Sequence, residues 1–226
     1  MIESHELVAL LQLARDEERR FVSRLTEDER EATGTLEAPA AKDVLAHIAG
    51  AKAAMAAALA AAGAGEDADP SHDWEALFNA NHARPFDEVE SDAERCSDTL
   101  VAEVERLPAA ALAYSPAWID EPTLSDEVVM YGVTHSLTHL FDPLFARGEA
   151  DDAVRAQRRL LDALPEGANA ELRAGALYNL GCLHARLGRD DEAVALLLEA
   201  TALEPGLADH ARDDSDLRSI RARLPA

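Results

Sequence analysis

Apolar side chains near the start of the chain recur every three or four positions. Leu7, Leu10, Leu11, Leu13, Ala14, Phe21, Val22 and Leu25 alternate with a charged face, which predicts an amphipathic helix over residues 3–26. After the turn T-G-T-L-E-A-P, where Pro39 suits the first turn of a helix, an Ala-dominated run from about Ala40 to Ala62 predicts a second helix. Its small side chains allow neighbouring helices to approach closely. Residues 63–73, G-A-G-E-D-A-D-P-S-H-D, read as an acidic loop. Val89, Ala93, Cys96, Leu100, Val104 and Leu107 then fall at helical spacing and predict a third long helix from Phe86 to Leu107. Pro108, Pro116 and Pro122 mark residues 108–123 as a crossing loop. Ser125 is placed to cap a fourth helix, with Asp126 and Glu127 at the positive end of its dipole. The expected fold is all-α, with a four-helix bundle over residues 1–147.

Residues 148–226 follow a different pattern. The stretch L-Y-N-L-G-C-L-H-A-R-L-G-R-D-D-E-A-V-A-L-L-L-E-A-T-A-L-E-P resembles a tetratricopeptide repeat. Gly181, Ala193, Leu197, Ala200 and Pro205 stand at its expected positions, and His184 sits where an aromatic is usual. Small residues at Gly181, Ala193 and Ala200 let paired helices touch, and Pro205 ends the second. The reading is two antiparallel helices over 174–205, broken near Gly188, then a capping helix in D-S-D-L-R-S-I-R-A-R-L. A weaker echo lies 40 residues earlier, with Gly148, Ala153 and Pro165 matching Gly188, Ala193 and Pro205. On that register the helix after Ser125 doubles as the first helix of a degenerate repeat. So short an array cannot bury its own faces; it either stabilises the bundle or docks a protein partner.

Charge and composition narrow the function classes. Acidic residues outnumber basic ones 44 to 21, for a formal net charge of −23, a field that repels nucleic acid and anionic membrane surfaces. The apolar run at 53–64 reads as too short and too Ala-rich to span a bilayer, and the start M-I-E-S-H-E-L lacks the order of a signal peptide. Cys96 and Cys182 share no short motif, imply no disulfide framework, and at helical spacing read as core. A reducing cytoplasm is the expected location, with a homodimer open as an assembly.

Candidate chemistry lies in V-T-H-S-L-T-H-L-F-D, Val133–Asp142. His135 and His139 are four residues apart on a helix, so both rings leave the same face, close enough to reach one metal ion. His47, in D-V-L-A-H-I on the second helix, is the candidate third ligand. Its alternative is a satisfied buried histidine on an apolar face. Three histidines with one open position suit a catalytic metal centre. Tyr131, one α-helical turn before His135, is a candidate donor to substrate, or else an interface tyrosine. Asp142 is a candidate carboxylate orienting a ligand ring, or a charge near a helix end before Pro143. Asn79, Asn81 and His82 either line the pocket mouth or belong to a solvated loop.

K-D-V-L-A-H-I on a second helix with T-H-S-L-T-H-L on a fourth resembles the DinB-like (YfiT-like) superfamily of metal-dependent bundle enzymes. The stretch N-H-A-R-P-F-D-E-V with its long helix is similar to the ClbS/DfsB branch. The resemblance covers roughly residues 1–147 and implies that His47, His135 and His139 hold a divalent ion, zinc or nickel. It implies further a low-molecular-weight thiol as co-substrate and a small electrophile as target, by transfer or hydrolysis. The Trp-Ser pair that often precedes the second-helix motif is Pro39-Ala40 here, and the repeat-like tail is an addition. Two classes of function stand: a metal-dependent transferase or hydrolase, and a non-catalytic scaffold whose tail docks a partner.

Overall fold

A computed structural model describes residues 1–118 and 122–224, and all regular structure among them is helical. The chain divides into two compact units, Met1–Pro143 and Leu144–Ala226. The first contains α1 (Ser4–Val22), α2 (Glu27–Glu31), α3 (Ala41–Gly63), α4 (Trp74–Asn81), α5 (Phe86–Arg106), α6 (Ala109–Leu112), α7 (Leu124–Val129) and α8 (His135–His139). One π-helical turn, Met130–Thr134, joins α7 to α8, and α9 (Phe141–Ala146) spans the division.

The amphipathic patterns become packing. In α1, Leu7, Leu10, Ala14 and Phe21 are buried, as are Val89, Leu100 and Val104 in α5. Each leucine so buried contributes about 1.5–3 kcal/mol relative to an exposed one. α3 packs along α5, and α1 packs on α5 and on the segment from α7 to α8. Arg15 and Arg19 of α1 both donate from Nε to Glu94 of α5, at 2.8 Å each. The Arg19 hydrogen bond, reinforced by Arg15, holds the Glu94 carboxyl down to about 2. Inside this unit α3 also carries a buried cation. Lys52, 2% exposed, donates to both carboxylate oxygens of Glu18 (2.6 and 2.8 Å) and to Ser97 Oγ (3.0 Å).

Several sequence expectations are corrected here. Helix α3 runs 23 residues with a mean hydropathy of 1.6 in its most apolar window, long and apolar enough by composition to cross a membrane; yet 61% of that window is buried inside the fold. Pro39 lies ahead of the α3 cap rather than in the first turn. Asp43 supplies part of the missing cap by accepting the Ala40 N–H at 2.9 Å. Thr123, not Ser125, caps α7: its hydroxyl accepts the Asp126 N–H while Asp126 accepts the Thr123 N–H, and Ser125 is fully buried. Asn79 and Asn81, read as part of a solvated loop, lie on a helix, Trp74–Asn81, with His82 at its C-terminal cap. Cys96 is half-buried, and Ser97 takes the core-facing position beside it.

In the second unit α10 (Ala150–Ala163), α11 (Ala170–Arg186), α12 (Asp190–Leu203) and α13 (Leu207–Asp213) follow in order. α11 and α12 pack as a pair, and Gly181 permits it: a Cβ there would lie 2.8 Å from Leu197 Cγ. Gly188 breaks the pair at φ +68° and Gly148 precedes α10 at φ +73°, left-handed conformations that favour glycine. The tail differs from the expected single capping helix. After α13 it forms two 3₁₀ turns, Ser215–Leu217 and Arg221–Arg223, which bury Leu217 and Ile220. Nor does the histidine helix run on as a repeat helix, because α8 ends at His139, where Leu140 N–H bonds tightly back to Leu137.

Candidate metal centre

His47 is held half-buried on α3 between Ala46 and Ile48, both core residues. His135 and His139 bracket α8, which the π turn feeds: His135 N–H bonds five residues back to Met130 O. π turns of this kind are frequent at functional sites. Gly132 lets the turn lie against the core, since a Cβ there would come 2.5 Å from Leu11 Cδ2 and 2.9 Å from Leu100 Cδ2. Buried Ser136 donates to Gly132 O at 3.2 Å and fixes the start of α8.

The three rings converge. Centroids of His47 and His139 are 4.2 Å apart, of His135 and His139 4.3 Å, and of His47 and His135 4.6 Å. One ring nitrogen from each lies within 4.8 Å of the others, close enough to hold a metal ion. Nε2 of His47 and Nε2 of His139 approach to 3.0 Å. Two ligands on one tetrahedral ion at 2.0–2.1 Å stand about 3.3 Å apart, so this pair needs only a few tenths of an ångström of adjustment. The centre opens to solvent on the His139 side.

Chemistry of the donors fits a cation. Buried imidazole nitrogens normally find a partner, yet Nδ1 of His135 is buried with none; Nδ1 of His47 is also unpartnered, while its Nε2 is the nitrogen turned toward His139. Burial, followed by the neighbouring His139 and His72, pushes His47 down to about 4. Burial and the adjacent rings push His135 to about 3. His139 is lowered chiefly by burial, then by His72, with Asp142 pulling the other way. At neutral pH all three rings therefore keep their lone pairs, the form that binds metal.

The other sequence candidates fall at different distances. Asp142 acts on His139 through its charge. Tyr131 shares no described ring contact or hydrogen bond with the imidazoles. It lies inside the π turn that leads into His135. Burial raises its hydroxyl above the ordinary tyrosine value, with Glu127 and Asp69 adding to the effect. Asn81 and His82 hold α4 in place instead: Asn81 donates to Leu77 O at 2.8 Å, and His82 Nδ1 lies 3.6 Å from Asp43 Oδ1. Asn79 is exposed on α4.

Two neighbours escaped the sequence reading. Trp74, at the start of α4, sets its ring edge-on to His47 at 4.8 Å. His72, from the acidic loop, places its ring 5.1 Å from His47 and 5.7 Å from His135. The only trace of it in the sequence is a histidine just ahead of Asp73, which caps α4 by accepting the Ala76 N–H at 3.1 Å. Gly50 brings α4 this close, because a Cβ there would meet Leu77 Cδ1 at 2.3 Å.

Compared with protein-family models, with curated proteins and with solved structures, the chain gives no match.

Proposed function

We propose that this chain is a metal-dependent enzyme of the DinB-like type, which brings a small thiol or water to a small electrophile. The observation that carries the reading is the meeting of three imidazoles with ligand nitrogens within 4.8 Å of one another, His47 and His139, 92 positions apart, closing to 3.0 Å between Nε2 atoms. A divalent ion held there, zinc or nickel, would supply Lewis acidity toward a thiol or a water. His47, His135 and His139 hold it as neutral donors and so leave its charge undiminished. Asp142 steadies His139 electrostatically. Trp74 packs edge-on beside His47, while the exposed His139 edge is the route of entry.

The test is elemental analysis of purified protein, paired with thiol-dependent consumption of an epoxide or alkyl halide. The expected result is one divalent ion per chain and turnover that is lost, together with the ion, in His135→Ala. Metal bound without turnover of any electrophile would favour the second reading, a scaffold. That reading draws on Leu198 and Leu203 of α12, which stand 44% and 39% exposed and offer apolar surface to a protein partner.

A further inference from the structure

We propose that His72 is a fourth imidazole ligand of this centre, closing the remaining position on a bound divalent ion when no substrate is present. The inference rests on the metal-binding reading above and deepens it, because it makes the resting site closed rather than open.

Geometry is the first support. Two imidazoles bound at 2.0–2.1 Å to one tetrahedral ion have ring centroids on the order of 5 Å apart. His72 stands 5.1 Å from His47 and 5.7 Å from His135, near that separation but outside the group of three whose nitrogens already lie within 4.8 Å of one another, so it joins the ion by a short inward swing. It reaches both rings from a loop, not from either helix that carries the other three.

An unmet demand is the second. Nδ1 of His72 is buried with no hydrogen-bond partner, and a buried unsatisfied group of this kind is costly to maintain. Packing alone would not select it, since an apolar ring at the same place carries no such cost. Coordination removes it. His72 faces the imidazoles of α3 and α8, and the nearest acidic groups of its own loop are already engaged. Asp69 accepts the Ser71 N–H at 2.8 Å and Asp73 accepts the Ala76 N–H at 3.1 Å. These two bonds pin the residues on either side of His72 and set the path of the loop over the cluster.

Charge is consistent with this. Four neutral imidazoles around a divalent ion make a tetrahedral all-nitrogen set, a closed arrangement of the kind found in structural sites, whereas three leave a position for water or substrate. A thiol entering the centre would therefore have to displace His72, the one ligand carried by a loop rather than by a helix. The metal–nitrogen bond to His72 would break as the metal–sulfur bond forms, and the thiol, arriving neutral, would give up its proton to solvent as it binds.

The full-length chain loaded with cobalt(II) tests this by X-ray absorption and by the rate of metal loss to a chelator. Wild type should show four imidazole scatterers. His72→Ala should bind one ion with three imidazoles and an oxygen, and lose it about 10–100-fold faster, the range typical of ligand-shell losses. His72→Phe keeps a ring packed on His47 but has no nitrogen, so it should behave as His72→Ala does. If His72→Phe instead matches wild type in scatterer count and release rate, His72 is a packing residue and the inference falls while the three-histidine centre stands. If wild type takes up no cobalt, the metal-binding reading itself is overturned, and this inference with it.

Discussion

Replacing Gly132 by Ala tests whether the π turn is what sets the metal centre. The added methyl would sit 2.5 Å from Leu11 Cδ2 and 2.9 Å from Leu100 Cδ2. Both leucines are core residues, 4% and 0% exposed, so neither has free space to turn into. Restoring ordinary contact with Leu11 requires about 0.9 Å of relief, shared between that side chain and the turn. Overpacking of this kind costs about 1–3 kcal/mol, offset by about 1 kcal/mol from exchanging Gly for Ala in a helix. The net expectation is a loss of about 1 kcal/mol. A metal centre tolerates ligand displacements of only about 0.2 Å. A shift of several tenths of an ångström in the turn, three residues from His135, should therefore weaken zinc binding about 10–100-fold. Urea denaturation of the metal-free protein and competition with a zinc chelator give the two numbers. Gly175→Ala is the control: nothing lies within 4 Å of its Cβ, so it should gain about 0.5–1 kcal/mol and leave zinc binding unchanged. A Gly132→Ala protein that is destabilised but binds zinc as tightly as wild type would refute the coupling between turn and centre.

Two further outcomes are expected. Lys52→Ala should cost about 3–5 kcal/mol in urea denaturation, because it strands the Glu18 carboxylate in the core. Joint replacement by Lys52→Met and Glu18→Leu should recover most of that, and equal losses in the single and double variants would count against the buried-pair argument. The metal-free protein should also lose stability as pH falls. Unfolded histidines take up protons below about 6.5, whereas His47 and His135 in the fold are held to about 4 and about 3. The unfolded chain therefore binds more protons across that window, and stability declines from about pH 6.5 downward. A urea midpoint that stays flat between pH 7 and pH 5 would show that the rings are not held neutral.

Much of this was legible because helical period and burial are local properties of the chain. Leu7, Leu10 and Ala14, or Val89, Leu100 and Val104, announce their faces before any partner is known. The four-residue spacing of His135 and His139 marked a candidate pair, and His47 joined it only through its place on a helix able to face them and the family resemblance. What failed to show was set by contacts between segments. His72 lies in a loop with no periodicity, and only the packing of α4 through Gly50 carries it to the cluster. The π turn was invisible because an i→i+5 bond leaves no compositional mark. Thr123 displaced Ser125 as the cap for a related reason. Both residues can cap, and the choice fell to Asp126, which answers Thr123 reciprocally and leaves Ser125 to be buried.

The charges around the centre bear on which ligands it can take. Lys52 acts on His135 and lowers its affinity for a proton, but its own charge is matched by Glu18 at 2.6 Å. The interior beneath the imidazoles is thus close to neutral, and the imidazoles themselves add no charge. Beyond it lies a chain of net charge −23, whose field draws cations toward the surface and repels anions. Loading of a divalent ion is favoured by both features: the distant field gathers the ion and the neutral rings leave its charge intact. An anionic co-substrate meets the opposite arrangement, repelled at long range and attracted only once it is within reach of the bound ion. If the proposed activity holds, the acidic surface would select against carboxylate-rich thiols and electrophiles on the approach, and the centre would suit substrates that arrive uncharged.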